Sequence, residues 1–231
     1  MSVLRVFLAS ACLAFGPAAF AVELPEVIEQ IVSTGPQSDA REHWRFRITV
    51  EMDDSVFVGR FDGSSPEGEQ WELVSPSLDQ MSEDQSEIWS ELIEPVSGED
   101  EGGLFLMRSD LDYTPGSFNL IEESASQARF SFTPELGEDE AAFAEFVTGE
   151  MIVDTQAENL EQVRIFAVES FKPNVAIRIN EFEVIQEFDR IEGLPAPVMT
   201  RMSQSVTGSM AFRQFSQQVD IRFDEIERLA R

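Results

Sequence analysis

The stretch WRFRITVEM at 44–52 limits the possible folds more than any other feature of the chain. Its apolar residues fall at every second position, and polar or charged residues occupy the positions between them. Because successive side chains of a β-strand point to opposite faces, this strict alternation predicts a strand with one buried and one solvated face. Strands of that kind build antiparallel sheets, since parallel strands are usually buried on both faces. We therefore predict a mainly β protein with minor α content.

Further segments continue the sheet. Predicted strands cover 56–62, 71–75, 104–108, 117–121, 128–134, 149–154, 160–168, 174–190, 198–206 and 210–223, and a corner is predicted to begin at 171–173. Within 174–190 the apolar residues change from odd to even positions, which predicts a β-bulge near Asn180. Long bulged strands curl, so the sheet is predicted to be a curved antiparallel sheet or half-barrel.

Three segments depart from the alternation and predict helices packed on one side of the sheet. Residues 24–32 form a short amphipathic segment before Ser-Thr-Gly-Pro. In 77–95 the apolar residues recur at roughly helical spacing until Pro95, which predicts an acidic helix. Residues 137–147 predict a short helix or helical turn whose acidic residues lie at its N-terminal end.

The first 21 residues have the pattern of a secretory signal peptide. Arg5 precedes an apolar run at 6–15, and Ala19-Phe20-Ala21 forms a small-residue cleavage site. The run is shorter than the roughly 20 residues that a spanning helix needs. We predict cleavage after Ala21 and a periplasmic protein whose residues 22–231 form one antiparallel β domain. A lipoprotein box ending at Cys12 is the alternative, although position 9 lacks the usual leucine.

The predicted mature chain is strongly acidic and contains no cysteine. It has 15 basic and 44 acidic residues, a net charge of −29, and Lys172 is its only lysine. Nucleic acids and anionic membranes would repel such a chain, because phosphate binding needs clustered lysine and arginine. The charge indicates either solubility in a saline habitat or an acidic recognition surface. Without cysteine, disulfides and thiolate nucleophiles are excluded from residues 22–231.

The residues needed for common catalytic and metal sites are scarce. His43 is the only histidine, so a dyad or a zinc site would lack partners. A pair of carboxylates could act as in a glycosidase, but so many acidic residues come close by chance. The acidic loops at 98–103 and 136–140 could attract calcium, although neither matches an EF-hand loop. We predict no enzyme activity, no cofactor and no metal site.

The order of elements resembles that of the LolA/LolB-type half-barrels of the bacterial periplasm, and of uncharacterised proteobacterial periplasmic proteins. An N-terminal helix leads to an antiparallel meander, in which TGEMIVD at 148–154 precedes LEQVRI. The resemblance covers 40–223 and consists of a pattern of strands without a residue motif. It implies an apolar cavity that shelters acyl chains, with 77–95 as its lid. The aromatic residues it implies for the cavity are Trp44, Phe46, Trp71, Trp89, Phe182, Phe188, Phe212 and Phe223.

Two functional hypotheses follow. The first is a periplasmic, non-enzymatic protein that binds a hydrophobic ligand, such as an acyl chain, lipid or lipoprotein. The second is a structural or protein-interaction module of the cell envelope whose acidic surface contacts a basic partner. From sequence alone, the aromatic residues fit an ordinary packed core as well as a ligand cavity.

Overall fold

The structure is a computed structural model that describes residues 24–34, 41–52, 55–66, 68–93, 104–106, 113–114, 116–135, 141–211 and 213–229. The predicted signal peptide, Phe212 and the two acidic loops at 98–103 and 136–140 lie outside these residues. Two short α-helices are described, α1 (Glu26–Thr34) and α2 (Glu83–Ile93). Short 3-10 helices cover Arg41–His43, Leu78–Gln80 and Ala141–Phe146.

Eleven strands form one open, antiparallel sheet, which confirms the predicted mainly β fold. They are β1 (Trp44–Met52), β2 (Ser55–Asp62), β3 (Trp71–Ser75), β4 (Asn119–Glu123), β5 (Gln127–Phe132), β6 (Val147–Asp154), β7 (Asn159–Ala167), β8 (Phe171–Asn174), β9 (Ile177–Asp189), β10 (Val198–Met210) and β11 (Arg213–Arg228). Their order is β3-β2-β1-β11-β10-β9-β7-β6-β5-β4, and β8 pairs with β9. The pairing of β1 with β11 joins the N-terminal strands to the C-terminal ones.

The strand register carries the alternation predicted for β1 across the whole sheet. One face of the sheet, which we call the apolar face, carries a row of residues that lie opposite one another on successive strands: Phe57, Val50, Ile221, Met202, Gln186, Val163, Met151 and Phe130. The opposite face, with Glu51, Asp220, Arg164 and Glu150, is the polar face. On both faces, such a row of side chains continues from one strand to the next, because paired residues of antiparallel strands point to the same face.

Both helices pack on the apolar face, as predicted. Ile28 and Ile31 of α1 contact a buried cluster that includes residues of β5, β6 and β7. Ile88 and Trp89 of α2 contact a second cluster built on β1 and β2. A Cβ added at Gly59 would lie 2.7 Å from Cζ3 of Trp89, so glycine lets this ring lie against the strand.

The predicted bulge at Asn180 is confirmed. Thr207 pairs with Glu181 and Gly208 pairs with Ile179, so Asn180 is the extra residue of β9. The bulge lets the apolar side chains of β9 keep to one face although their positions in the sequence change from odd to even. A second irregularity falls at Thr200, between Met199 and Arg201 of β10.

The predicted helix at 77–95 is shorter than expected, because a capping box fixes its start. The backbone N–H of Ser82 donates to Oε1 of Gln85 at 2.8 Å, and the N–H of Gln85 donates to Oγ of Ser82 at 3.2 Å. This reciprocal pair satisfies two backbone donors at the helix N-terminus, so α2 begins at Glu83. Leu78 lies before the cap and is 66% exposed.

Two other segments differ from prediction. Residues 171–173 belong to strand β8, and the chain turns one residue later, where Oδ1 of Asn174 accepts hydrogen bonds from the N–H groups of Ala176 and Ile177. Within 104–106, the described part of a predicted strand, Phe105 makes only an isolated bridge to Val198. The short helix or helical turn predicted at 137–147 is confirmed in its described part as the 3-10 helix Ala141–Phe146.

Candidate functional site

One end of the apolar face is occupied by closely packed aromatic side chains. We call this group the aromatic cluster: Trp44, Phe46, Phe57, Phe61, Trp71, Trp89 and Phe223. Ring centroids lie 4.9 Å apart for Phe61 and Trp71, and 5.8 Å apart for Trp71 and Trp89. Trp44 and Phe61 have no exposed surface. These tilted and edge-to-face contacts are those of a packed protein core, and α2 contributes to them through Trp89.

The eight residues predicted to line a cavity do not form one group. Five of them, Trp44, Phe46, Trp71, Trp89 and Phe223, belong to the aromatic cluster. Phe188 lies in the cluster beneath α1. Phe182 packs on a third cluster, formed by Phe171, Ile179 and Val206. Phe212 lies outside the described residues.

Between these clusters lies a region that we call the central patch: Ile165 of β7, Val184 and Gln186 of β9, and Met202 and Gln204 of β10. Val184 stands directly opposite both Ile165 and Gln204, and Gln186 stands opposite Met202. Four of the five residues are half-buried, whereas the apolar face of β1 is fully buried along its length. Apolar side chains in the middle of this face are therefore more exposed to solvent than those of β1.

The central patch contains two amides, Gln186 and Gln204, beside Ile165, Val184 and Met202. Gln204 lies between Val184 and Val219 on the neighbouring strands, and only 6% of it is exposed. Neither Gln204 nor Gln186 makes a side-chain hydrogen bond with any residue that the structure describes.

The sequence interpretation overlooked both glutamines, although the signal was present. In β9, Gln186 lies between Val184 and Phe188 in the same two-residue phase. In β10, Gln204 lies in phase between Met202 and Val206. A polar residue in the inward phase of a strand indicates either a buried hydrogen bond or a binding site.

The polar face is held by ion pairs that cross the strands. Among the described residues, arginine–carboxylate pairs join every two neighbouring strands in the sheet order except β5 and β6: Arg60–Glu72, Arg45–Asp62, Arg222–Glu51, Arg201–Asp220, Arg201–Glu187, Arg164–Glu183, Arg164–Glu150 and Arg129–Glu122. The planar guanidinium suits this role because it can bind carboxylates on two neighbouring strands at once. Much of the chain's small supply of cations is thus engaged on this face.

Two carboxylates of the polar face, Asp220 and Asp62, take part in contacts that shift a pKa. Asp220 is 6% exposed and accepts hydrogen bonds from Arg201 at 2.6 Å and from Arg222 at 3.2 Å. Hydrogen bonding to Asp220 raises the pKa of Arg201 above its usual value. At the other carboxylate, a hydrogen bond from the Ser64 hydroxyl, assisted by Arg45, lowers the pKa of Asp62.

Known proteins provide no assignment for this site. The chain matches no family model, no curated protein and no solved structure. The resemblance to the LolA/LolB-type half-barrels therefore stays a prediction. Among the described residues, three or more possible metal ligands never come together. Neither described helix has the length and apolar run that a membrane-spanning helix requires.

Proposed function

We propose that the protein is a periplasmic, non-enzymatic binding protein that holds a hydrophobic ligand against the central patch. The observation that carries this proposal is the difference in burial along one apolar face. At the aromatic cluster, packed rings and α2 bury the face. Between the clusters, Ile165, Val184 and Met202 stay half-buried. Met202 packs against the aromatic cluster and Ile165 against the cluster beneath α1, and a partly open apolar strip between two packed clusters suits a hydrophobic ligand.

The rest of the sheet supports this proposal by providing a rigid frame. The aromatic cluster packs one flank, and the cluster beneath α1 packs the other. On the polar face, Arg201 and Arg164 each bridge carboxylates on two other strands, directly behind the central patch. Binding sites supported by rigid elements lose less conformational entropy when a ligand binds.

Native mass spectrometry of the full chain, expressed with its leader and purified gently, tests the proposal. We expect additional mass in the range of a fatty acid or phospholipid, which is lost on extraction with organic solvent. We also expect the extracted protein to bind Nile red, a neutral apolar dye. Protein that carries no such mass and binds no dye would contradict the proposal and leave an acidic interaction surface as the remaining hypothesis.

Matched variants on one strand locate the binding face. Val184→Phe places a phenyl ring on the apolar face, within the central patch, whereas Ile185→Phe places the same ring on the polar face. We expect Val184→Phe to lose most of the dye binding and Ile185→Phe to keep it, with both variants retaining the wild-type circular dichroism spectrum. Equal loss in both variants would show that the central patch is not the binding site.

A further inference from the structure

Two hairpin turns at one end of strands β8 to β11 differ in charge from the rest of the chain. Acidic residues occupy 44 of the 231 positions, yet none falls in 170–180 or in 193–219. These segments include the turn between β8 and β9 and the turn between β10 and β11. We call residues 172–178, 209–211 and 213 the basic tip.

Three cations of the basic tip have no acidic partner. Lys172, Arg178 and Arg213 are exposed, and none of them forms an ion pair with a residue that the structure describes. The guanidinium of Arg178 donates instead to the uncharged Oγ of Ser170 at 2.8 Å. Contacts within the protein therefore leave the positive charge of the tip uncompensated, unlike that of the paired arginines on the polar face.

The same two turns expose apolar side chains. Val175 is fully exposed, and Met210, which stands opposite Arg213, is 41% exposed. The backbone N–H of Ala211 donates to the carbonyl oxygen of Ala176 at 3.0 Å, so the two turns are joined into one surface. Apolar groups that remain in water beside unpaired cations indicate a surface that meets a partner.

We infer that the basic tip docks on the surface of an anionic lipid bilayer. Val175 and Met210 enter the headgroup region, and the three cations contact lipid phosphates. Lysine and arginine suit this position because their aliphatic stems lie along apolar surface while their charged ends reach the phosphates. The inference goes beyond the proposed function and does not require a ligand at the central patch.

The charge of the whole chain predicts repulsion from anionic membranes, and the basic tip reverses this locally. Glu181 lies three residues along β9 from Arg178, and Asp220 lies seven residues along β11 from Arg213. At about 3.3 Å per residue, these carboxylates are roughly 10 Å or more from the cations. That separation exceeds the screening length of about 8 Å at physiological ionic strength. Glu169 flanks the tip but forms no ion pair with a described residue.

The size of the tip favours a membrane over a protein partner. A stable protein interface takes roughly 20–30 residues from each side, more than the two turns provide. A bilayer can be met by a few cations and apolar side chains at a hairpin turn, because each of them contributes separately to membrane binding.

Sedimentation with lipid vesicles tests the inference. The full chain is mixed with vesicles of phosphatidylglycerol and phosphatidylethanolamine, or with vesicles of phosphatidylcholine alone. We expect binding to the anionic vesicles only, and weaker binding as the salt concentration rises. Arg178→Gln should weaken binding about fivefold, and the triple variant Lys172→Gln/Arg178→Gln/Arg213→Gln should abolish it.

Matched controls separate the tip from the rest of the surface. Arg190 is an exposed arginine directly after the other end of β9, so Arg190→Gln should bind as wild type does. Val175→Ser should weaken binding about fivefold. Val56 is also an exposed valine, at 51%, but lies on β2, so Val56→Ser should leave binding unchanged.

A fluorescent label shows whether the tip enters the bilayer. Cys12 is the only cysteine of the chain, so a Cys12→Ser background allows one site to be labelled. Val175→Cys carrying the dye NBD should become brighter and shift to shorter wavelength with anionic vesicles. The same label at Val56→Cys should not change.

Equal vesicle binding by wild type and the triple variant would overturn the inference, as would equal binding to both kinds of vesicle. Self-association in place of vesicle binding, lost in the triple variant, would overturn it in favour of a second copy of the chain. Nile red binding without vesicles should be the same in wild type and the triple variant. If dye binding fails while vesicle binding depends on the tip, the proposed function falls and this inference stands.

Discussion

The apolar face and the polar face lie on the same strands but connect them by different forces. On the apolar face, neighbouring strands meet through buried rings, such as Phe46 stacked on Phe61 at 5.1 Å between ring centroids. On the polar face, strands meet through charged pairs, such as Arg164 with Glu183 at 2.6 Å. Buried rings contribute several times more stability than partly exposed ion pairs do. The comparison indicates that the apolar face provides most of the stability, and that the polar face contributes mainly to strand order.

The comparison also explains how so acidic a chain supports a large sheet. Arginine places one cation between two carboxylates at several points of the polar face, which offsets repulsion where strands come together. The central patch of the apolar face needs no such compensation, since its polar side chains, Gln186 and Gln204, are uncharged amides. Changes of salt concentration and pH should therefore act on the polar face and leave the apolar face unaffected.

The largest expected effect comes from removing a ring of the aromatic cluster. Phe61→Ala should lower the free energy of unfolding by about 3–5 kcal/mol, because Phe61 is fully buried between Phe46 and Trp71. Phe166→Ala on the polar face, where Cζ of Arg164 lies 4.0 Å from the ring centroid, should cost only about 1 kcal/mol. Urea unfolding of both variants measures the difference, and equal losses would contradict the comparison.

Adding a methyl group beneath Trp89 should have the next largest effect. Gly59→Ala places a Cβ 2.7 Å from Cζ3 of Trp89 and 3.2 Å from Cγ1 of Ile48. The ring must move, and overpacking of this kind costs about 1–3 kcal/mol. The near-ultraviolet circular dichroism of the tryptophans should change along with the urea midpoint. An unchanged spectrum would mean that the flank beneath α2 is less tightly packed than described.

On the polar face, Asp220→Asn should cost about 1–2 kcal/mol, since hydrogen bonds to a charged group are lost from partly exposed arginines. Arg201 and Arg222 stand opposite each other, so their repulsion becomes uncompensated and the loss should grow at low salt. The exposed Asp224→Asn on the same strand is the control. Urea unfolding at two salt concentrations checks this, and a loss independent of salt would indicate a packing effect instead.

The smallest expected effect concerns pH. The pKa of Asp62 is lowered in the folded protein, mainly by the Ser64 hydroxyl, then by the Ser64 backbone N–H and by Arg45. Its contribution to stability is therefore fully present above the unfolded pKa of about 4 and is lost as pH falls through the lower folded pKa. Asp62→Asn should be slightly less stable than wild type at neutral pH, and the two should converge in acid. A constant difference at all pH values would exclude this carboxylate as the cause.

Local sequence patterns predicted the strands well where one face is apolar and the other polar. The alternation at 44–52 matches β1 residue for residue, and the phase change in 174–190 located the bulge at Asn180. Prediction was poorest where the chain forms local hydrogen bonds, as at Ser82 and Asn174, because single side chains there decide where a helix begins or a turn forms.

The sequence by itself determined the class of the fold, the two faces of each strand and the position of one bulge, because these depend on residues that are near neighbours along the chain. Tertiary structure alone decided that β1 pairs with β11, and that the predicted aromatic residues divide among separate clusters. It also decided that Gln186 and Gln204 are diagonal neighbours in the central patch. Register between distant strands sets these contacts, and that register depends on packing across the whole sheet.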